Sequence, residues 1–184
     1  IKPQIISMDI DDGPRWIESG ITPVKVTDLR QPTTETTGLL MYTSGTTGVP
    51  KGVLLSHGNL IAAGSNVCVA HKLDSTDTGM CVLPIYHING LCVTVMGSTV
   101  SSSTLVMPYR FSTSMFWGII SKYKCSWFSA VPTQFAYILN QAETREDLSH
   151  LRFARSASAP LSPDIHRRFE ERFKVPIIET MGLT

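Results

Sequence analysis

The amino-acid sequence predicts an α/β fold: a mostly parallel sheet with helices on both faces. Short apolar runs of strand length alternate with longer segments of helical pattern from residue 39 to the end of the chain. Strands that are separated by helices in this way imply βαβ crossovers, which make the strands parallel and place helices on the faces of the sheet. Glycine, proline and serine mark the boundaries between the segments, as turns and helix starts require.

The predicted strands are apolar runs at 39–42, 53–55, 80–83, 104–107, 126–131, 151–154 and 175–179. Helix starts are marked by Ser56, Ser112 and Ser162, whose hydroxyls can cap a first turn, and by Pro132 and Pro163, whose fixed φ suits a first helical position. The predicted helices are 57–71, 90–100, 113–123, 132–142 and 163–173.

Composition and charge exclude several function classes. The 184 residues carry a formal net charge of +1, which argues against the clustered basic surface that nucleic-acid recognition needs. No apolar run is long enough to span a membrane, and the N-terminus lacks the layout of a signal peptide. We therefore expect a cytoplasmic protein. Its widely spaced cysteines are expected to be buried and reduced rather than zinc ligands or disulfides: Cys68, Cys81, Cys92 and Cys125.

The chain is interpreted as a lead-in segment of unclear role, residues 1–38, followed by an α/β subdomain, residues 39–184. The subdomain is long enough to bury a sizeable core. The chain begins at Ile1 rather than at methionine and stops at Thr184 inside a recognisable pattern. We therefore expect it to be an excised piece of a longer protein.

A loop rich in glycine and hydroxyl groups leaves the first predicted strand. Residues 42–52 read Tyr-Thr-Ser-Gly-Thr-Thr-Gly-Val-Pro-Lys-Gly, a run that cannot continue a strand or a helix. Glycines let backbone N–H groups approach an anion, hydroxyls donate hydrogen bonds, and Lys51 adds a compact positive charge. A Walker A loop is excluded because it needs glycine at Pro50 and a hydroxyl residue at Gly52. The run predicts a phosphate site, with a surface loop of no function as the alternative.

The same run resembles the phosphate-loop signature of the adenylate-forming superfamily, which includes acyl- and aryl-CoA synthetases and the adenylation domains of peptide synthetases. The resemblance implies that Lys51 is a catalytic residue that offsets charge on the leaving pyrophosphate, and that Thr184 is a second one, which contacts phosphate. His57, at a helix start beside the loop, is interpreted as structural. The residues implied to bind the ATP phosphates are Thr43, Ser44, Gly45, Thr46, Thr47, Gly48 and Lys51.

A second segment, residues 84–91, resembles the Pro-x-Phe-His-x-x-Gly segment of the CoA-ligase members. In that family the histidine and its aromatic neighbour line the tunnel for the carboxylate. Amino-acid-activating members carry an acidic segment without histidine here, which favours a carboxylic-acid–CoA ligase. Asn89 stands where aryl-activating members often have an aromatic residue, so a flat aromatic acid is less favoured. The implied acyl pocket, whose floor is shaped by a Val-Pro-Thr run, contains Tyr86, His87, Asn89, Gly90 and Val131.

Two further segments resemble the adenine site of the family. Residues 156–161 are similar to its Ser-Gly-Ala-Ala-Pro-Leu wall, and residues 179–184 to its Gly-Tyr-Gly-x-Thr-Glu segment, cut before the glutamate that binds magnesium. Met181 stands where an aromatic residue stacks on adenine, and Thr180 where glycine is usual. No metal ligand is therefore predicted within this chain. The residues implied to bind adenine are Ala157, Ser158, Ala159, Pro160, Glu179, Thr180 and Met181.

Together these segments imply an AMP-forming acid–thiol ligase. A carboxylate would attack the α-phosphorus of ATP to give acyl-adenylate and pyrophosphate, with Mg²⁺ sharing the charge, and the thiol of CoA would then displace AMP. The alternatives are a loading domain that passes acyl groups to a carrier protein and a non-catalytic nucleotide-binding module. The family's ribose-binding aspartate, hinge and lysine-bearing C-terminal domain have no counterpart in residues 1–184. We therefore expect the isolated chain not to turn over.

Overall fold

The computed structural model describes residues 8–9, 15–16, 31–43, 50–141 and 144–182. Contacts between Cα atoms divide the chain into two compact units, Ile1–Pro32 and Thr33–Thr184. In the first unit, β1 (Met8–Asp9) pairs antiparallel with β2 (Arg15–Trp16). The functional division between residues 38 and 39 stays a prediction.

The second unit begins with a hairpin that forms a small sheet of its own. Strand β3 (Thr37–Thr43) pairs antiparallel with β4 (Lys51–Ser56), and Thr43 lies opposite Lys51. Both strands were expected from the sequence, but as members of the mostly parallel sheet. A short loop can join antiparallel strands, whereas a parallel pair needs a crossover of a dozen or more residues. The connection between β3 and β4 is too short for a crossover, so these two strands pair antiparallel. They form a sheet separate from the parallel one.

Helix α1 (His57–His71) has the bounds that the sequence predicts. Its start is fixed by a capping box, in which Ser56 Oγ accepts a hydrogen bond from the Asn59 backbone N–H at 3.2 Å and Asn59 Oδ1 accepts one from the Ser56 N–H at 3.0 Å. The helix ends at His71 and is followed by the C-cap residue Lys72, whose φ of 52° is left-handed. The His57 ring packs against the backbone at Gly38.

A five-stranded, entirely parallel sheet is the centre of the second unit, which confirms the predicted α/β class. The spatial order is β6-β5-β7-β8-β9, so the chain moves outward from β5 to β6 and then crosses to the other side of β5. Such a reversal opens a crevice at the carboxyl ends of the strands. The strands are β5 (Thr78–Cys81), β6 (Thr104–Val106), β7 (Trp127–Ala130), β8 (Phe153–Ser156) and β9 (Ile177–Glu179).

Four further helical segments connect these strands. The predicted helix 90–100 is in fact a π-helix (Asn89–Val95) that continues as α2 (Met96–Val100). π-Helical turns are rare and occur frequently at functional sites. The remaining helices, α3 (Thr113–Tyr123), α4 (Pro132–Leu139) and α5 (Pro163–Phe173), start where the sequence predicts.

The sheet buries aromatic side chains on both faces, beneath the helices that the sequence predicts there. On one face Phe128 contacts Phe116 of α3, with ring centroids 5.0 Å apart, and Phe135 of α4 and Phe169 of α5 complete this layer. On the other face Trp127 stacks on Phe153 with centroids 5.7 Å apart, beneath residues of α1 and the π-helix. Burying each such side chain contributes about 1.5–3 kcal/mol.

The four cysteines are unpaired, and three of them are buried as predicted, whereas Cys68 is only half-buried. Burial raises the pKa of the Cys125 thiol to about 11, which makes it unreactive at neutral pH. Within the part of the chain that the structure describes, no helix is both long enough and apolar enough to cross a membrane.

Candidate active site

The carboxyl ends of β5, β7, β8 and β9 meet at one edge of the sheet, and the segments that leave them carry most of the predicted site residues. Because the strands are parallel and in register, segments far apart in sequence become neighbours at this edge. Two adjoining cavities lie among these segments.

The larger cavity has a volume of about 550 Å³ and is built from the segments after β8 and at the end of β9. The structure brings all the predicted adenine residues to it except Ala157, which is buried and faces the smaller cavity. That these residues bind adenine stays a prediction. The lining residues are Ser158, Ala159, Pro160, Glu179, Thr180, Met181 and Gly182.

Two hydrogen bonds hold the walls of the larger cavity together. Glu179 Oε1 accepts from the Leu161 N–H at 2.8 Å, and the Thr180 N–H donates to the Ser156 carbonyl oxygen at 2.9 Å. Met181, by contrast, is 90% exposed. Its thioether is therefore free to contact a flat ring, a contact worth about 0.3–1.5 kcal/mol.

The smaller cavity has a volume of about 160 Å³ and lies between the π-helix and β8. Asn89, Cys92, Arg155 and Ala157 are among its lining residues. It shares Ser158 and Gly182 with the larger cavity. A ligand in one cavity would therefore lie beside a ligand in the other.

Asn89, which is only 8% exposed, is the centre of a hydrogen-bond network in the smaller cavity. Its Nδ2 donates to Ser158 Oγ at 3.1 Å, while its Oδ1 accepts from Arg155 Nη1 at 2.6 Å and from Ser129 Oγ at 3.5 Å. The guanidinium cannot accept a hydrogen bond, so the network fixes which way the amide points. Ser158 itself has a left-handed φ of 76°, a strained conformation of the kind that clusters at binding sites.

Arg155 is the main residue that sequence reasoning missed. It lies inside β8 between Ser129 of β7 and Ile178 of β9, and only 7% of its surface is exposed. Burial lowers the pKa of the guanidinium to about 10, so it stays cationic at neutral pH. The predicted strand 151–154 stops before Arg155, whereas the observed β8 (Phe153–Ser156) contains it. A charged residue inside a buried strand is rare without a partner, and this signal exists only with the observed bounds.

The predicted acyl-pocket residues are only partly brought together. Asn89 lines the smaller cavity, whereas Tyr86, His87, Gly90 and Val131 are not among its lining residues. Tyr86 is 75% exposed and its ring lies 5.3 Å from that of His87. Gly90 packs directly against the backbone at Pro84, where a Cβ would meet the carbonyl oxygen at 2.5 Å. Their assignment to an acyl pocket stays a prediction.

The predicted phosphate site is described only at its two ends. Thr43 and Lys51 face one another across the hairpin, and Lys51 is exposed. Four further predicted phosphate residues, Gly45, Thr46, Thr47 and Gly48, lie outside the described residues. Ser44 and Thr184, whose predicted roles also concern phosphate, lie outside them too.

A model of the AMP-binding enzyme family matches residues 4–184. The chain belongs to the AMP-binding enzyme family. The four segments identified from the sequence therefore have the family origin that their resemblance indicated.

Curated members of the AMP-binding family are similar to most of this chain. A sulfoacetate–CoA ligase of Cupriavidus necator is 49% identical over 156 residues, which cover 85% of this chain and 30% of the relative. An oxalate–CoA ligase of Arabidopsis thaliana is 37% identical over 150 residues, 79% of this chain and 29% of the relative. The chain thus spans about three tenths of the length of these relatives.

Solved structures of family members have the same fold. ATP-bound MatB from Rhodopseudomonas palustris matches with a TM-score of 0.72 and 29% identity, over 78% of this chain and 28% of that one. The o-succinylbenzoate CoA synthetase MenE from Bacillus subtilis, in complex with ATP and a magnesium ion, matches with a TM-score of 0.74 and 27% identity. The match covers 83% of this chain and 31% of that one.

Proposed function

We propose that the complete protein to which this chain belongs activates a small carboxylic acid with ATP and transfers the acyl group to CoA. The observation that carries the proposal is the pair of adjoining cavities at the carboxyl edge of the sheet. One is lined by the segments that resemble an adenine site, and the other is small and contains a buried cation. Their shared wall at Ser158 and Gly182 would bring an acid next to a nucleotide.

The first step needs no general base, because the nucleophile is a carboxylate oxygen that is already ionised. It attacks the α-phosphorus of ATP, the bond from that phosphorus to the bridging oxygen breaks, and pyrophosphate leaves with the electron pair. Charge then accumulates on the pyrophosphate. The Lys51 ammonium, opposite Thr43 across the hairpin, is suited to offset that charge by position and electrostatics alone.

In the second step the thiol of CoA loses its proton to water, its sulfur attacks the acyl carbonyl carbon, and the bond from that carbon to the phosphate oxygen breaks as AMP leaves. We propose CoA as the acceptor because the similar curated proteins are named as CoA ligases. Transfer to a carrier protein is the alternative acceptor.

Magnesium is implied by the family, and the structure of MenE is described with ATP and a magnesium ion. Within the described residues, no three His, Cys, Asp or Glu side chains come together as a metal site. Mg²⁺ in nucleotide sites keeps several waters and uses substrate phosphates as ligands. Mg²⁺ bound beside the described residues would therefore rely mainly on substrate phosphates and water as ligands, and no step above is routed through it.

The named substrates of two relatives, sulfoacetate and oxalate, are small acids, and a cavity of about 160 Å³ is suited to an acid of that size. We further propose a cytoplasmic location. The four unpaired cysteines support it, since secreted proteins usually oxidise theirs.

The test is to incubate the complete protein with ATP, Mg²⁺, CoA and a panel of carboxylic acids, and to measure AMP release and acyl-CoA by mass spectrometry. Equal amounts of AMP and acyl-CoA with at least one acid are expected. Binding of ATP without AMP release on any acid would favour the non-catalytic nucleotide-binding module. Residues 1–184 alone are expected to give no pyrophosphate exchange.

A further inference from the structure

Arg155 is a buried positive charge beside a cavity. Within the described residues, no carboxylate lies within 4.0 Å of its guanidinium, since none of the ion pairs found there includes Arg155. Buried charges are normally paired, because removing an ion from water costs several kcal/mol. An uncompensated cation of this kind requires an explanation.

The hydrogen bonds of Arg155 leave Nη2 of the guanidinium free. Nη1 donates to Asn89 Oδ1 at 2.6 Å and to Ser129 Oγ at 3.2 Å. Nε is fully buried and has no partner among the described residues, and Nη2 makes no hydrogen bond to any of them. Because Nε is fully buried, Nη2 is the nitrogen left for a ligand, and a guanidinium N–H donates a strong, charge-assisted hydrogen bond to a carboxylate or a sulfonate.

Three acidic groups on or beside the elements of the sheet are engaged elsewhere. Asp77 forms an ion pair with Arg152 at 3.0 Å, and Glu179 accepts from a backbone amide. Glu170 accepts from another backbone amide at 2.7 Å. The structure supplies no carboxylate for Arg155 from its described part, while the smaller cavity gives the guanidinium a direct path to a ligand.

We propose that Arg155 binds a second anionic group of the acid substrate, a carboxylate or a sulfonate, and so selects small dianionic acids over monoanionic ones. This inference rests on the proposed function. The anion would accept a hydrogen bond from Nη2 within the smaller cavity. The reacting carboxylate would then point along the cavity toward Ser158 and Gly182, which also line the larger cavity.

The arrangement accounts for the other members of the network. Asn89 and Ser129 contact only Nη1, so they orient the guanidinium plane without occupying Nη2. Neither is acidic, so neither neutralises the cation. A selector built in this way keeps its full charge for the ligand, and it rejects an uncharged isostere because the cation would stay buried and unpaired.

The experiment compares matched pairs of acids on the complete protein, with AMP release as the readout. Oxalate, malonate and succinate are each paired with the monoamide in which one carboxylate becomes a neutral amide of similar shape, and sulfonates of the same lengths form a further arm. For the best acid, kcat/KM is expected to exceed that of its monoamide by about 30-fold or more. The carboxylate and sulfonate arms show which anion is preferred.

Arg155→Gln is expected to raise KM for the dianionic acid much more than KM for the monoamide. The ratio of kcat/KM for the acid to kcat/KM for its monoamide should then be close to one. Arg155→Lys, which keeps the charge but not the forked geometry, should give an intermediate ratio. Arg167→Gln, a matched change on the exposed face of α5, should leave the ratio as in the wild type.

Two results overturn the inference while leaving the proposed function intact: wild-type protein that uses monoanionic acids as well as dianionic ones, or an Arg155→Gln ratio equal to the wild-type ratio. If no acid in the panel leads to AMP release, the proposed function itself is overturned, and this inference with it. Where Arg155→Gln does not fold, the wild-type and Arg155→Lys ratios decide.

Discussion

The carboxylate of Glu179 accepts a hydrogen bond from the Leu161 backbone amide, with 2.8 Å between Oε1 and N. This bond joins the end of β9 to the loop after β8, the two segments that form the larger cavity. Glu179→Ala should loosen the wall and raise KM for ATP about tenfold, since hydrogen bonds to charged groups contribute about 1.5–3 kcal/mol. ATP titration of pyrophosphate exchange measures this, with Glu171→Ala on the exposed face of α5 as control. An unchanged KM would mean that ATP does not use this wall.

Lys51 is expected to act on the adenylation step. Lys51→Ala in the complete protein should slow single-turnover formation of acyl-adenylate by about 10²-fold, because a positive charge opposite Thr43 at the end of the loop is lost where negative charge develops. The exposed Lys122 of α3 is the control, and Lys122→Ala should behave as the wild type. Unchanged acyl-adenylate formation in Lys51→Ala would remove Lys51 from the mechanism.

Asn89→Asp should give Arg155 a partner within the protein. The substituted carboxylate would lie where Oδ1 now accepts from Nη1 at 2.6 Å. We expect a higher thermal unfolding midpoint, because a buried cation becomes paired, together with a raised KM for dianionic acids, which the new charge repels. Asn66→Asp on the exposed surface of α1 is the matched control. A lower midpoint together with unchanged KM would contradict this account of Arg155.

Gly90 is required by close packing against the backbone. A Cβ there would lie 2.5 Å from the Pro84 carbonyl oxygen and 3.1 Å from that of Leu83, and backbone atoms cannot move aside cheaply. Gly90→Ala should therefore cost about 1–3 kcal/mol of unfolding free energy, as overpacking does. Gly118→Ala is the control, since a Cβ there meets nothing within 4 Å in α3, and it should stabilise by up to about 1 kcal/mol. Urea unfolding midpoints compare the two, and equal midpoints would refute the packing argument.

His71 should make stability depend on pH. Burial lowers its pKa below the ordinary value of 6.5, with Arg155 and Arg152 adding repulsion. As pH falls below about 6.5, the unfolded chain takes up a proton that the folded chain does not. Stability should therefore decrease from pH 6.5 down to the lowered pKa of the folded state. In thermal unfolding at pH 7.5 and 5.5, His71→Phe, which keeps a ring stacked on Phe153, should lose less stability on acidification than the wild type. Equal losses would show that His71 is not responsible.

Much of the fold could be predicted because its boundary signals are local. The capping serine before α1 and the proline at the start of α5 specify where each helix begins from adjacent residues alone. Where no local signal exists the bounds were less accurate: α4 was expected to reach residue 142, but it ends at Leu139. The π-helix could not be anticipated. Over such a short segment, one extra residue per helical turn does not change the spacing of apolar residues enough to distinguish a π-helix from an α-helix.

The site was predictable where it resembles a motif and unpredictable where it depends on topology. The segments of the larger cavity carry recognisable runs. Arg155 was missed because its significance arises from Asn89, 66 residues earlier in the chain, and from a cavity that forms only when the π-helix packs over β8. The opposition of Thr43 and Lys51 likewise depends on hairpin pairing that was not foreseen.

Strand β8 lies in the interior of the sheet, with β7 on one side and β9 on the other. Arg155, the proposed discriminating group, is therefore held in place by the sheet and not by a surface loop. On the proposed role of Arg155, evolution or engineering of a different preference would have to alter the buried framework itself.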